Sequence, residues 1–322
     1  MTSSSKAHFN RVFLLIAIIA VPFLAWICET LGSSSLLDRE AVSGQEGRVS
    51  REDASRGGLR FFCDRTGIEV SIAQSRGTTI HRSGNISYNS VPHSQVTQYI
   101  ELFVGELSLY RASFLKKAGL RRVVLCSALN WSGEERSGLA CKQNSELYFD
   151  ITAAQFNDRY QRTVIHHELY HLVDFAEDGQ DTVDETWRRL NGTSYVYKKR
   201  TLDFRASMLV GSIEGFLTSY ATTNVAEDKA ETYSNMVVSP KRVRELAASD
   251  LVLSAKVSLI RKRMLVFHED MNGVFWDGVD VRDNYRSVQK SRVSRNPRAG
   301  RGSEISKPVV VPENPKRVPK RL

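Results

Sequence analysis

The stretch His166-His167-Glu168-Leu169-Tyr170-His171 decides the reading of this chain, because it sets H-E-x-x-H at 167–171 inside a run of helical period. At about 100° per residue, four residues return to nearly the same helix face, so His167 and His171 can offer two imidazole nitrogens to one Zn²⁺. Glu168 lies beside that axis. Its carboxylate is badly set to ligate and well set to take a proton from a water in the metal's open position. Ile165, Leu169, Leu172, Val173 and Ala176 form an apolar stripe roughly opposite the histidines, which gives the helix a face to bury. Asp158 is the expected N-cap, and the run should last to about Phe175 before the polar stop Glu177-Asp178-Gly179. An amphipathic helix with two surface histidines would share this pattern.

A catalytic zinc needs a third protein ligand. No second histidine cluster follows His171, and His268 is solitary in a charged helix, where a solvated or hydrogen-bonded role suits it better. That leaves a carboxylate. Glu227 and Glu231 are four apart, so on one helix face either could bind metal while the other accepts a hydrogen bond from a ligand histidine. Asn224 three residues before Glu227 is also a capping-box spacing, in which the glutamate would only satisfy a helix end.

Upstream, Ser94 opens a run in which Val96, Ile100, Phe103, Leu107, Tyr110 and Phe114 recur at helical spacing until Gly119. Arg121–Cys126 and Glu146–Ile151 read as buried strands. Downstream, an irregular stretch from Asp184 to Tyr197 carries aromatics that either wall a cleft or pin a loop through a buried Trp187. Helical patterning returns over 225–237 and again over 243–276. The fold class is α+β.

His167-Glu168-Leu169-Tyr170-His171-Leu172-Val173-Asp174, then Trp187 with Leu190-Asn191, then Tyr220 through Asn224, Glu227, Asp228, Ala230 and Glu231, resemble the zincin-like metallopeptidases related to the catalytic domain of anthrax lethal factor. The resemblance covers roughly residues 94–278. It implies a zincin-like domain with a cleft-edge strand able to pair with an extended peptide. It also implies one Zn²⁺ held by His167, His171 and Glu227, with Glu168 as base and Tyr220 donating to the developing oxyanion. Glu231 falls behind the ligands, and Asp174 is placed with it. The expected activity is a zinc-dependent endopeptidase acting on a peptide or protein substrate. A catalytically silent zinc-bound interaction domain and a zinc amidase for non-protein amides are the alternatives; retention of Glu168 and Tyr220 favours an enzyme.

Length and charge bound the rest. The 322 residues suit one catalytic domain with appendages, expected over 59–283. Net charge is +9, but Gln289–Leu322 alone carries ten Lys/Arg against Glu304 and Glu313, so the basicity belongs to a tail. That tail, 284–322, is expected to be disordered and suited to an acidic surface, and the fold itself gives no reason to expect a specific nucleic-acid partner. Val12–Cys28 is an apolar run interrupted by Pro22, preceded by Lys6 and Arg11 and followed by Glu29, and it reads as a signal anchor or signal peptide. Residues 1–11 would then be cytoplasmic, and the membrane would be a partner through this segment, with the domain outside. Residues 29–58, rich in Ser, Gly and mixed charge, read as a linker. Asn85, Asn130 and Asn191 begin N-x-S/T sequons. In an oxidising compartment Cys126 and Cys141, which flank a Gly/Ser/charged loop, are the preferred disulfide pair, leaving Cys63 over.

Overall fold

A computed structural model describes residues 51–81, 84–153, 157–179, 184–192, 195–198 and 208–295. The run Val12–Cys28 and the chain after Arg295 lie outside the described residues, and no described helix is long and apolar enough to cross a membrane. The strands are β1 (Glu69–Ile72), β2 (Gly77–His81), β3 (Gly84–Asn89), β4 (Arg122–Trp131), β5 (Glu134–Glu135), β6 (Gly138–Cys141) and β7 (Glu146–Asp150). The helices are α1 (Arg51–Thr66), α2 (His93–Leu107), α3 (Ala112–Lys117), α4 (Asp158–Asp178), α5 (Glu185–Leu190), α6 (Val225–Val238), α7 (Pro240–Ala247), α8 (Leu251–Phe267) and α9 (Gly273–Arg295).

The run Val123-Val124-Leu125-Cys126 is apolar without alternation because β4 is covered on both faces. Val123 and Leu125 join the main core, whereas Val124 and Cys126 join a smaller cluster with Ile86, Leu129 and Tyr148. The first half of β4 is sandwiched between two parallel neighbours, with Val123 opposite Val70 of β1 and Leu147 of β7. Its second half pairs antiparallel with β3 and β5. β6 lies antiparallel to β7 and ends the row as an edge strand, which completes a mixed open sheet. Helices α2 and α4 pack on the main-core face, where Phe103 sits 5.8 Å from Phe62 and 6.1 Å from Phe149 between ring centroids. The whole is a mixed α+β fold.

Several expectations change. The linker does not reach Gly58: α1 starts at Arg51, and Ser55, Leu59, Phe62 and Cys63 form its inward face, a helical period masked by its polar first member. The run from Ser94 is two helices, because the chain turns at Ser108 and carries Tyr110 inward to stack on Phe114 at 4.9 Å. The stretch 243–276 is broken twice, once where the Asp250 side chain caps α8 by accepting from Leu253 N at 2.9 Å, and again before Gly273. The tail boundary at 284 is also too early, since α9 continues to Arg295 and Arg286 reaches the buried Glu106.

Cys126, Cys141 and Cys63 are in no disulfide among the described residues. Cys126 stands opposite Asp150 and Cys141 opposite Glu146, with β7 between their strands. Two strand spacings laterally and four residues lengthwise put them roughly 16 Å apart, far beyond disulfide reach.

Candidate metal centre

The N-cap of α4 falls one residue earlier than expected, because Asn157 accepts from Tyr160 N at 2.9 Å and leaves Asp158 as the first helical residue. It ends where Gly179 takes φ +73°. Residues 160–174 are buried throughout, so this helix is the centre of the domain. The facing helix, α6, is capped by Asn224, whose side chain accepts from Glu227 N at 2.9 Å. Half of the capping box therefore forms. The Glu227 carboxylate goes elsewhere, to the histidines of α4.

His167 Nε2 lies 3.1 Å from His171 Nε2 and 2.9 Å from Glu227 Oε2, and the third side of the triangle, His171 Nε2 to Glu227 Oε2, is 3.5 Å. Ligands placed 2.0–2.1 Å from a tetrahedral zinc are separated by about 3.3 Å, so these edges fit the ion. On the far side of its ring, His167 donates from Nδ1 to Glu231 Oε1 at 2.8 Å. That bond fixes the tautomer and turns the Nε2 lone pair toward the triangle. The local field agrees: burial opposes charge on His167, yet Glu227 and Glu231 raise its pKa well above the usual range. A positive charge is favoured at this point, and a dication suits it. Burial pulls His171 down to about 4, which keeps its ring neutral as a ligand must be.

Glu168 lines the same cleft, where burial pushes its carboxyl up to about 7. Tyr220 opens the short 3₁₀ turn Tyr220–Thr222 before α6 and lies 6.0 Å from the His167 ring. Burial and the nearby Glu227 raise its pKa, so the phenol keeps its proton. Asp174, placed behind the ligands, binds Lys229 Nζ at 2.7 Å, whereas His171 Nδ1 has no hydrogen-bond partner among the described residues. Asp174 therefore clamps α4 to α6 through a cation rather than through a ligand histidine.

The opposite wall of the cleft is the edge strand. Asp150 N donates to Ser137 O at 3.0 Å, and antiparallel alternation then turns Leu139 and Cys141 toward β7 and leaves the N–H and C=O of Gly138 and Ala140 on the open edge. Gly138 is required here. A Cβ on it would sit 2.6 Å from Glu168 Cγ and 2.7 Å from Val164 Cγ1. The cleft also contains Arg136 and Lys142, one on each side of this strand. All three residues lie in what reads in sequence as a loop; the alternation in Gly138–Cys141 is too short to stand out.

Buried polar contacts hold the two helices that bring these residues together. Tyr233 OH donates to Tyr110 OH at 2.9 Å, Tyr110 OH to His166 Nδ1 at 2.8 Å, and His166 Nε2 to Glu106 Oε2 at 2.9 Å. Glu106 also receives Arg162 Nε at 2.8 Å and bonds from Arg282 and Arg286. Beside Glu227, Asp228 Oδ2 accepts from Trp187 Nε1 at 2.8 Å, Tyr197 OH at 2.8 Å and Lys256 Nζ at 2.7 Å. Trp187 is thus a buried pin and not a cleft wall. His268 ends α8, away from the centre, and its Nδ1 accepts from Asp270 N at 3.2 Å.

Residues 108–269 match the sequence model of a family described as "Putative zinc-binding metallo-peptidase". Among solved structures, the "Crystal structure of a putative zinc-binding metallo-peptidase from Bacteroides caccae ATCC 43185" is similar at 14% identity and a TM-score of 0.48, over 79% of this chain and 97% of that one. No curated protein matches the sequence. The family match spans half of the 322 residues and takes in both helices of the centre, so this chain belongs to that family of zinc-binding metallo-peptidases.

Proposed function

We propose that this protein is a zinc-dependent endopeptidase of zincin type. The observation that carries the reading is the convergence of ligand atoms of His167, His171 and Glu227 within 4.8 Å of one another, beside Glu168 and across the cleft from a strand edge that no described strand pairs. His167, His171 and Glu227 would hold the ion. The chemistry zinc supplies when bound is Lewis acidity, which polarises a carbonyl and acidifies water.

The chain's own groups do the rest. An extended peptide adds to β6 through the backbone groups of Gly138 and Ala140, which brings a scissile carbonyl over the centre. Glu168 takes the proton of the attacking water and later hands it to the leaving amine, and burial near neutrality suits it to both transfers. Tyr220, still protonated, donates to the oxyanion of the tetrahedral species, the role carried over from the likeness to the lethal factor catalytic domain. Glu231 holds the His167 ring in the ligating orientation.

The site of action proposed is outside the cytoplasmic membrane, on the strength of the Val12–Cys28 run alone. Cysteine labelling that placed Cys63 in the cytoplasm would contradict it. The activity itself is tested with purified protein and a diverse peptide mixture. Cleavage should stop with a chelator and return with zinc; intact peptides after prolonged incubation with zinc-loaded protein would refute the assignment.

A further inference from the structure

Tyr220 is carried by a segment with little regular structure of its own. Over residues 208–222 the described pairing amounts to one isolated bridge, Leu209 to Thr218, and the 3₁₀ turn that starts at Tyr220. Two internal bonds, Val210 N to Leu217 O at 2.8 Å and Phe216 N to Ile213 O at 3.1 Å, shape the tip of the segment. Neither ties that tip to the rest of the domain. A phenol that must meet a developing charge needs such a tie, because a small displacement of the donor costs turnover steeply.

The tie is made by the start of α8, which grips Gly215 from both sides. Asp250 Oδ2 accepts from Gly215 N at 2.6 Å, and Lys256 Nζ donates to Gly215 O at 2.6 Å. Gly215 has φ +77°, and an added Cβ would stand 2.8 Å from Val252 Cγ1, so the segment lies on the helix where only glycine fits. The next residue adds a third hold. The Lys256 ammonium stands 3.8 Å from the Phe216 ring centroid. Lys256 is wholly buried, and its remaining partner is Asp228 Oδ2 at 2.7 Å, on the residue after Glu227. One buried cation therefore joins the segment that carries the phenol to the helix that carries the carboxylate. Folding alone does not call for that cation. Asp228 already accepts from Trp187 and Tyr197, and a buried ion pair is often no more stable than apolar side chains of the same volume.

We infer that Asp250 and Lys256 are positioning residues for hydrolysis, acting through Gly215 to fix Tyr220 against the centre. This rests on the peptidase reading and on the donor part that reading gives Tyr220.

The test is a double-mutant cycle on zinc-loaded full-length protein, assayed with a quenched fluorescent peptide taken from those that wild type cuts. Asp250→Ser keeps an oxygen for the Leu253 amide at the helix cap and leaves no second oxygen for Gly215 N. It should lower kcat by about tenfold and change KM by less than about twofold, the mark of a group misplaced at the transition state and not of lost binding. Lys256→Met should act in the same way at a greater cost in stability; where it fails to fold, Asp250→Ser decides. In a Tyr220→Phe background neither substitution should lower kcat further. Zinc content should stay at the wild-type level, and hydrogen exchange should speed up over 208–222 while Asp158–Asp178 is unchanged.

A loss of kcat that persists in full beside Tyr220→Phe overturns the inference, since the two residues would then act on the domain at large. Wild-type kcat in the Asp250→Ser protein overturns it too, as does unchanged exchange over 208–222. The reading beneath it fails in other ways: wild-type protein that cuts no peptide removes the peptidase, and Tyr220→Phe as active as wild type removes the phenol's part and this inference with it.

Discussion

His167 is held from both sides, by Glu231 Oε1 at 2.8 Å on Nδ1 and by Glu227 Oε2 at 2.9 Å on Nε2, and the two carboxylates come from successive turns of one helix. Only Glu227 also approaches His171, at 3.5 Å. Spacing alone makes these glutamates interchangeable; the fold separates them. Glu227→Ala should therefore be purified largely without zinc, whereas Glu231→Ala should keep zinc at high free metal and lose it to a chelator about 10–100-fold more readily than wild type. Metal analysis after matched dialysis checks both. Zinc retained in Glu227→Ala and absent from Glu231→Ala would reverse the assignment.

Gly138 has no room for a methyl group, since an added Cβ meets Glu168 Cγ at 2.6 Å. Gly138→Ala should bind zinc normally, because no ligand is touched, yet turn over at least about tenfold more slowly as Glu168 is pushed from its position. Assays of kcat beside zinc content test this. A kcat equal to wild type would mean that the strand yields in place of the base.

The last described helix contributes through Arg282 and Arg286. Arg282 and Arg286 both bond Glu106, which is wholly buried and held well below the usual carboxylate range against the cost of burial by His166, Arg162 and Arg282. A chain ending at Val288 keeps both arginines and should retain fold and zinc. The Arg282→Ala/Arg286→Ala double variant should lose about 2 kcal/mol, the worth of hydrogen bonds to a buried charge. Denaturant midpoints compare them, and a truncated chain as unstable as the double variant would contradict this division.

Asp184 gives a pH signature. Burial opposes its charge, but Arg263, the Trp187 amide and Lys229 pull its pKa to about 2. A depressed carboxylate contributes stability above its unfolded pKa and loses it as pH falls through the folded one, so the contribution is complete above about pH 4 and gone below about pH 2. Asp184→Asn should be less stable than wild type by about 2 kcal/mol at pH 6, with the gap narrowing between about pH 4 and pH 2. Urea unfolding across that range measures it. A gap constant with pH would remove the ion pair as its cause.

The sequence made the helix that carries His167, Glu168 and His171 and the two buried strands legible, because each follows a short, regular interval. What it concealed were features defined by partners far along the chain. The ranking of Glu227 over Glu231 depends on how α6 faces α4. The strand edge at Gly138–Cys141 is four residues long and reads as loop. Glu106 looks like an exposed member of an amphipathic helix until Arg162 and Arg282 reach it from 56 and 176 residues away. The early close of the domain at 283 and the Cys126–Cys141 pair failed for the same reason. Local composition set both, and sheet register and helix docking override it.

The central claim is that Glu168 drives hydrolysis at a zinc centre. The direct measurement is peptide turnover by Glu168→Gln beside wild type, with zinc quantified in both. The side chain keeps its shape but loses its base, so the account predicts equal zinc and melting temperature with turnover reduced by at least about 10²-fold. Wild-type turnover in a zinc-replete, folded Glu168→Gln protein would contradict it.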